Sequence, residues 1–503
     1  MEIDSLKIRM YRHGFGDCFL LRYFTAENCS FSMLIDCGLK HNDSVEGVTI
    51  AEVAKDIETV LLEGQADKSV PLLDVLLVTH EHWDHVSGFH PDKKLFDHFR
   101  IEKIWMAWTE NPADKEAEFI RKHIEKNLTA LSLATEKLKE SKSSNAESLS
   151  GMRNSEKIIK ARENFNAAIE EIASFFGPLE ISKTPGGINL NDKYKISVNS
   201  QKAMNHVKAF AKKEAGIEYF YPGDLIENIK LPGIRIYVLG PPKSALLNKD
   251  SPSSGSNKEV YMGLQNRTLS GFVNSMLQMS ENQDKHQDSN PFLEADTLTP
   301  QQAQGHAFLQ DYFSPDQAYR NIDDEWLNIS GALALQLDND TNNTSLAIAI
   351  EFTASGKVML FPADAQVGSW LSWHELKWEI HNEGVPKIVD MTSLLNRTVF
   401  YKAGHHASHN ATLKELGLEL MKSRDLVVFI PEKEKQYNGI PHHSLVERLK
   451  EKSKGRTFFS ADSTEPAEKV LQEKPLSLSQ KEWDDFKSNC QVNKLFIEYT
   501  IKS

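Results

Sequence analysis

Apolar and polar positions alternate through the opening of the chain. Ile8-Arg9-Met10-Tyr11, Cys18-Phe19-Leu20-Leu21-Arg22-Tyr23 and Phe31-Ser32-Met33-Leu34-Ile35-Asp36 follow one another, punctuated by Gly14, Gly16 and Gly38. This pattern predicts an antiparallel meander that runs into a tight turn. Val48 to Glu63 has helical spacing and predicts an amphipathic helix. Leu72 to Thr79 is a short, mostly apolar run, suited to a strand buried on both faces. A dense group of histidines follows it directly.

The character changes from Asn111 to Phe176, where Glu, Lys, Ala and Leu recur at helical spacing around a Ser-rich stretch, Ser141 to Ser150. A helical insertion, folded as a hairpin, is expected there. Strand-like runs resume at Tyr194 to Val198, Ile217 to Tyr221 and Ile234 to Leu239. A second, polar insertion rich in Ser, Asn, Gln and Asp is expected from Pro242 to Leu327. Further strands are expected at Ser345 to Phe352, Lys357 to Phe361, Val399 to Ala403, Leu426 to Ile430, Thr457 to Ser460 and Lys494 to Thr500. No repeat of fixed period is visible.

Composition narrows the class. Of 503 residues, 40% are hydrophobic, enough for a sizeable core. No apolar run is long enough to span a bilayer, and the N-terminus lacks the apolar stretch of a secretory signal. Cys18, Cys29, Cys37 and Cys490 form no C-x-x-C pair and no dense framework, which suits reduced thiols in a cytoplasmic protein with no membrane partner. A net charge of −13 argues against a broad phosphate-tracking surface, although bound dications reverse the sign locally.

The strongest chemical signal is Thr79-His80-Glu81-His82-Trp83-Asp84-His85. A loop leaving a strand end can turn alternate side chains to one side. His80 and His82 would then hold one metal ion, and Asp84 and His85 a second one beside it. Neutral imidazoles with a carboxylate suit zinc, manganese or iron.

His80-x-His82-x-Asp84-His85 resembles the signature of the metallo-β-lactamase superfamily. Gly14-Phe15-Gly16-Asp17 and Leu34-Ile35-Asp36-Cys37-Gly38 resemble its opening segments. Three later motifs, in matching order, point to the ComEC-type competence-protein hydrolase branch. They are Asn342-Asn343-Thr344-Ser345-Leu346, Leu360-Phe361-Pro362-Ala363-Asp364 and Lys402-Ala403-Gly404-His405-His406-Ala407-Ser408.

The resemblance implies an α/β fold, an αββα sandwich forming one domain over residues 1–503, with insertions at 111–176 and 242–327 outside the shared pattern. It implies two divalent ions, zinc with manganese as the alternative, held by His80, His82, Asp84, His85, Asp364 and His405. Asp364 would bridge both ions. Either His405 or His406 would be the last ligand; His405 is favoured, leaving His406 to donate a hydrogen bond to the substrate. Asp84, Asp364 and His406 are then the catalytic set around a metal-bridging hydroxide. Asp36 would orient a ligand histidine from beneath. His442 resembles part of a G-H-P-H segment of the same branch. Asn342 and Asn343 stand where a third histidine of the first ion is usual, so one ion should bind more weakly than the other; two equal, tight sites would imply a histidine from elsewhere, such as His206. Ala363 and Ala407 stand where glycine is usual. The expected activity is that of a phosphodiesterase or nuclease. The alternatives are a small ester or lactone hydrolase on the same site, or a degenerate member that binds a protein partner through its insertions.

Overall fold

The computed structural model describes residues 2–26, 28–40, 48–65, 67–143, 175–177, 179–183, 194–211, 216–227, 230–243, 273, 298, 300–310, 314, 325–382, 385–432, 440–461 and 466–503. The chain is a mixed α/β protein, and most of its strands lie in two large mixed sheets.

The first sheet contains β1 (Ser5–Tyr11), β2 (Phe19–Thr25), β3 (Asn28–Ile35), β4 (Leu72–Leu77), β5 (Arg100–Ala107) and β6 (Gly216–Phe220). The second contains β7 (Leu225–Ile226), β8 (Ile234–Gly240), β9 (Ala347–Phe352), β10 (Val358–Phe361), β11 (Thr398–Lys402), β12 (Val427–Ile430) and β13 (Thr457–Phe459). β14 (Cys490–Val492) and β15 (Phe496–Lys502) return to the first sheet. Its order is β14-β15-β1-β2-β3-β4-β5-β6, antiparallel as far as β3 and parallel from β3 onward. The second runs β13-β12-β11-β10-β9-β8-β7, parallel as far as β10 and antiparallel beyond it.

Side-chain alternation explains how the sheets meet. Phe19, Leu21 and Tyr23 of β2 share one core with Ile348, Ile350 and Phe352 of β9. The intervening Leu20 belongs to a different cluster, with Val53 and Ile57 of helix α1 (Ile50–Gly64). Ala347 and Ala349 likewise turn outward to Trp370 and Leu394. Each sheet therefore has one face in a shared apolar core and helices over the other face. Thr49 caps α1, with Glu52 closing the capping box.

The remaining helices used below are α2 (Trp83–Val86), α3 (Lys115–Ser143), α4 (Asn199–Phe210), α5 (Glu325–Asn342), α6 (Val367–Trp373), α7 (Met391–Asn396) and α8 (His443–Lys452). The expected strands recur within a few residues of their predicted bounds; one of them, Tyr194–Val198, pairs with Leu179–Lys183 in a separate two-stranded ribbon and not in either large sheet. α3 occupies the first half of the helical insertion; the expected returning arm lies outside the described residues, as does most of 242–327. α4, α5 and the ribbon Lys377–Asn382 with Val385–Asp390 carry no expectation from the sequence. Among the described residues, no helix is long and apolar enough to cross a membrane.

Candidate metal centre

Parallel strands end together where the two sheets meet. β3 ends at Ile35 and delivers Asp36; β4 ends at Leu77 and delivers Thr79 to His85; β10 ends at Phe361 and delivers Asp364; β11 delivers Lys402, His405 and His406. Carboxyl ends of parallel strands are a common place for a binding site, because the chain can leave the sheet there in irregular loops. Here the loops interlock through their backbones. The amide of Asp17 donates to the carbonyl of Asp84 (2.9 Å), Cys37 to His85 (2.9 Å), and Gly38 to Asp17 (3.0 Å).

Two glycines allow this approach. A Cβ on Gly38 would sit 2.1–2.2 Å from Asp84 and His85 backbone atoms, and one on Gly16 would sit 2.3 Å from the carbonyl oxygen of Gly38. Asp36, Ala363, His405, His406 and Ala407 all have left-handed φ, between 42° and 62°. Such backbone is rare for residues with a Cβ and costs about 1–3 kcal/mol each. Ala363 and Ala407, which stand where the resemblance places glycine, occupy positions where glycine would be unstrained.

Asp84, His85, Asp364 and His406 are fully buried and bring one ligand atom each to within 4.8 Å of one another. His85 Nε2 lies 3.1 Å from Asp364 Oδ2 and 3.8 Å from Asp84 Oδ2. His406 Nε2 lies 3.1 Å from Asp84 Oδ2 and 3.9 Å from Asp364 Oδ2. Beside this group, His80 Nε2 and His82 Nδ1 lie 3.1 Å apart. The histidine that joins the two aspartates is thus His406, not His405. Successive left-handed residues swing the second imidazole inward. His405 is buried nearby, and burial, against the pull of Asp364, takes its imidazole down to about 4.

Hydrogen bonds on the outer nitrogens assign the tautomers. His406 Nδ1 faces the carbonyl of Pro431 (2.5 Å), which can only accept, so Nδ1 carries a proton. Thr79 spends its hydroxyl proton on Asp36 Oδ2 (2.6 Å), so its oxygen accepts from His80 Nδ1 (3.0 Å). His85 Nδ1 donates to Asp36 Oδ2 (2.8 Å). In their neutral forms, these three imidazoles present a bare Nε2 inward. His80 Nε2 then faces His82 Nδ1, and His406 Nε2 faces a carboxylate oxygen. Such pairs of acceptors need a proton or a cation between them.

Electrostatics agree with this. Burial lowers His85, but Asp364, Asp84, Asp17 and Asp36 outweigh it and hold the imidazole well above its ordinary value. Burial opposes ionisation of Asp364 too, yet His85 and Lys402 hold its carboxyl well below the usual range. Burial, joined by His85 and His405, takes His82 down to about 3 against the pull of Asp84 and Asp364, and His80 falls well below its ordinary value for the same first cause. Asp84 Oδ1 and His82 Nε2 are buried without a hydrogen-bond partner among the described residues. Ionised carboxylates, His80 and His82 held neutral, and the unmet oxygen of Asp84 together fit a divalent cation, which would take the place of the proton on His85.

Several supporting residues carried no role in the sequence reading. Lys402 Nζ contacts Asp17 Oδ2 (2.6 Å), Asp364 Oδ1 (3.2 Å) and the carbonyl of Ala363 (3.2 Å). It fixes one oxygen of Asp364 and leaves Oδ2 turned inward. Phe15 packs on the His406 ring (centroids 3.9 Å apart), and Phe175 and Phe176 pack on His82 (5.3 and 5.0 Å). Asp17 and Lys402 stand within the motifs quoted above, but nothing local marks Phe175 or Phe176.

Other expected positions lie elsewhere. His206 bonds the carbonyl of Phe89 (2.9 Å) and faces Asp97 (3.3 Å), away from the histidine group. His442 packs near His409. Asn343 exchanges hydrogen bonds with Gln366 (3.2 and 3.3 Å), while Asn342 turns to Asp338. Trp105, Trp108, Trp370 and Trp373 are buried packing residues. On the far side of Glu81, a cavity of about 320 Å³ lies between α3 and α4, lined in part by Glu110, Arg121 and Lys208. Comparison with protein-family models and with curated proteins returns no match for the chain.

Proposed function

We propose that the chain is a metal-dependent hydrolase of the metallo-β-lactamase fold, acting on phosphodiesters. The observation that carries the reading is the convergence of Asp84 Oδ2, His85 Nε2, Asp364 Oδ2 and His406 Nε2 beside the His80–His82 pair, all buried where two sheets meet. Two mixed sheets with a common core and helices on their outer faces support the fold assignment. The phosphodiester class rests on the resemblance of the later motifs to the ComEC-type branch.

His80 and His82 would hold one divalent ion, and Asp84, His85, Asp364 and His406 a second one beside it. Zinc suits this set, and manganese is the alternative. Bound ions would supply Lewis acidity, which acidifies water and neutralises charge developing on the substrate. The chain supplies the rest. Asp36, Thr79 and the Pro431 carbonyl keep the inner imidazole nitrogens bare. Lys402 orients Asp364. Phe15, Phe175 and Phe176 restrain the imidazole rings and exclude water from them.

The test is metal content together with a substrate panel: bis-p-nitrophenyl phosphate, single-stranded DNA, duplex DNA and a lactone. Metal-dependent turnover of a phosphodiester, abolished in Asp84→Ala along with metal binding, is expected. Turnover of the lactone alone would replace the phosphodiester class. Near-normal metal content and turnover in Asp84→Ala would overturn the site itself.

A further inference from the structure

His82 is the exception among the inward-facing histidines. The outer nitrogens of His80, His85 and His406 each have a hydrogen-bond acceptor, as described above, but His82 Nε2 has none among the described residues. A neutral imidazole has a single N–H, so a bare Nδ1 beside His80 requires the proton to sit on Nε2 and something to receive it. The group that faces Nε2 is the carboxylate of Asp338, with Oδ1 3.7 Å away.

Asp338 comes from α5, which begins at the end of the polar insertion, and it lies outside the motifs above. Its Oδ2 accepts from Asn342 Nδ2 at 3.1 Å. The two residues are four apart and share one helix face. Asn342 is fully buried, and its Oδ1 has no hydrogen-bond partner among the described residues. The amide at the place of the usual third histidine is therefore turned to brace a carboxylate. That carboxylate in turn faces the outer side of a ligand histidine.

We infer that Asp338 is the positioning residue of His82: it receives the proton of Nε2, directs the Nδ1 lone pair to the point faced by His80 Nε2, and is itself braced by Asn342. The inference rests on the reading of His80 and His82 as holders of one cation. A separation of 3.7 Å is long for a hydrogen bond, and contacts of this kind commonly tighten once the site is filled. The role parallels that of Asp36 toward His85, but it is supplied by a helix packed over the site, not by a loop of the same sheet.

The experiment measures zinc and cobalt affinity by chelator competition, with the visible spectrum of bound cobalt, on the full chain. Asp338→Ala should weaken one class of ion by about 10–100-fold, the usual cost of losing an outer partner. The ion class held by Asp84, His85 and His406 should stay within about twofold of wild type, since His85 and His406 keep Asp36 and the Pro431 carbonyl as outer partners. Asp338→Asn, which preserves shape, should lose less, and Asp338→Glu should recover part of the loss. In a His82→Ala background, Asp338→Ala should cost nothing further, because coupled residues are not additive. A purely structural role predicts additive losses, both ion classes weakened, and no recovery with Glu. Any of these would overturn the inference, as would unchanged affinity in both Asp338→Ala and Asp338→Asn. If Asp338→Ala does not fold, the Asn and Glu variants carry the comparison. A wild-type chain that takes up no metal would remove the underlying reading as well, and that outcome is distinct from the others.

Discussion

Gly38→Ala tests whether the interlocked loops set the metal centre. The new Cβ would lie 2.1 Å from the carbonyl carbon of Asp84 and 2.2 Å from its oxygen and from the amide nitrogen of His85. Ordinary contact begins at 3.4 Å, so the loops must part by more than an ångström. No rotamer can relieve the clash, because all three atoms are backbone. The displaced residues are Asp84 and His85, two of the four ligand atoms that converge. Overpacking of this kind costs about 3 kcal/mol, and a shift of 1 Å at a reacting centre costs about 100-fold in rate. The expected result is metal affinity lowered by about 10–100-fold and kcat/KM lowered further. Gly305→Ala is the matched control, since a Cβ there meets nothing within 4 Å. Its stability should change by less than about 0.5 kcal/mol. The assays are metal content after dialysis and thermal unfolding of both variants. If Gly38→Ala kept metal within about threefold of wild type, the loops would not be the element that positions Asp84.

Two further outcomes follow from the same geometry. Ala407→Gly relieves a left-handed φ of 62°, worth about 1–2 kcal/mol, and loses about 0.4–1 kcal/mol to the freer unfolded chain; denaturant unfolding should show a neutral or slightly stabilised protein with its metal intact, and a loss above about 2 kcal/mol would contradict the backbone description. Lys402→Met strands Asp17 and Asp364, both buried, so the metal-free protein should lose about 3–5 kcal/mol in a chelator-containing unfolding assay. A loss below about 1 kcal/mol would mean that the lysine is not their counter-charge.

The parts of the site that were legible from the sequence are those compressed into short runs. His80, His82, Asp84 and His85 fall within six residues after an apolar strand, so local geometry already suggests a common target. Asp364 and the double histidine were legible only through motif order, because nothing near them shows that they face the first loop from the opposite sheet. The choice between His405 and His406 was not legible at all. It depends on consecutive left-handed residues, which reverse the usual direction of a side chain leaving a strand. Asp338 escaped for a different reason. Its helix, Glu325–Asn342, carries mixed polar and apolar positions, and its partner His82 is more than two hundred residues away. The strands were legible from their alternation, but alternation does not record which strand pairs with which. Tyr194–Val198 has a strand pattern and pairs outside both large sheets.

The pairings across the site run in both directions between the sheets, and this links assembly of the core to assembly of the site. Lys402, at the end of a second-sheet strand, reaches Asp17 in a first-sheet loop at 2.6 Å. Asp364, from the second sheet, faces His85 of the first at 3.1 Å, and His406 faces Asp84 at 3.1 Å. Either sheet alone would leave carboxylates or cations buried without a partner, and an unpaired buried charge is among the costliest groups in a protein interior. The apolar faces of β2 and β9 bury readily against each other in more than one register, since hydrophobic burial is non-directional. The ionic contacts are directional and match in one arrangement only. The shared core therefore supplies the stability that brings the sheets together, while Lys402, Asp364 and His406 fix their relative position. That same position is the one in which the ligand atoms converge.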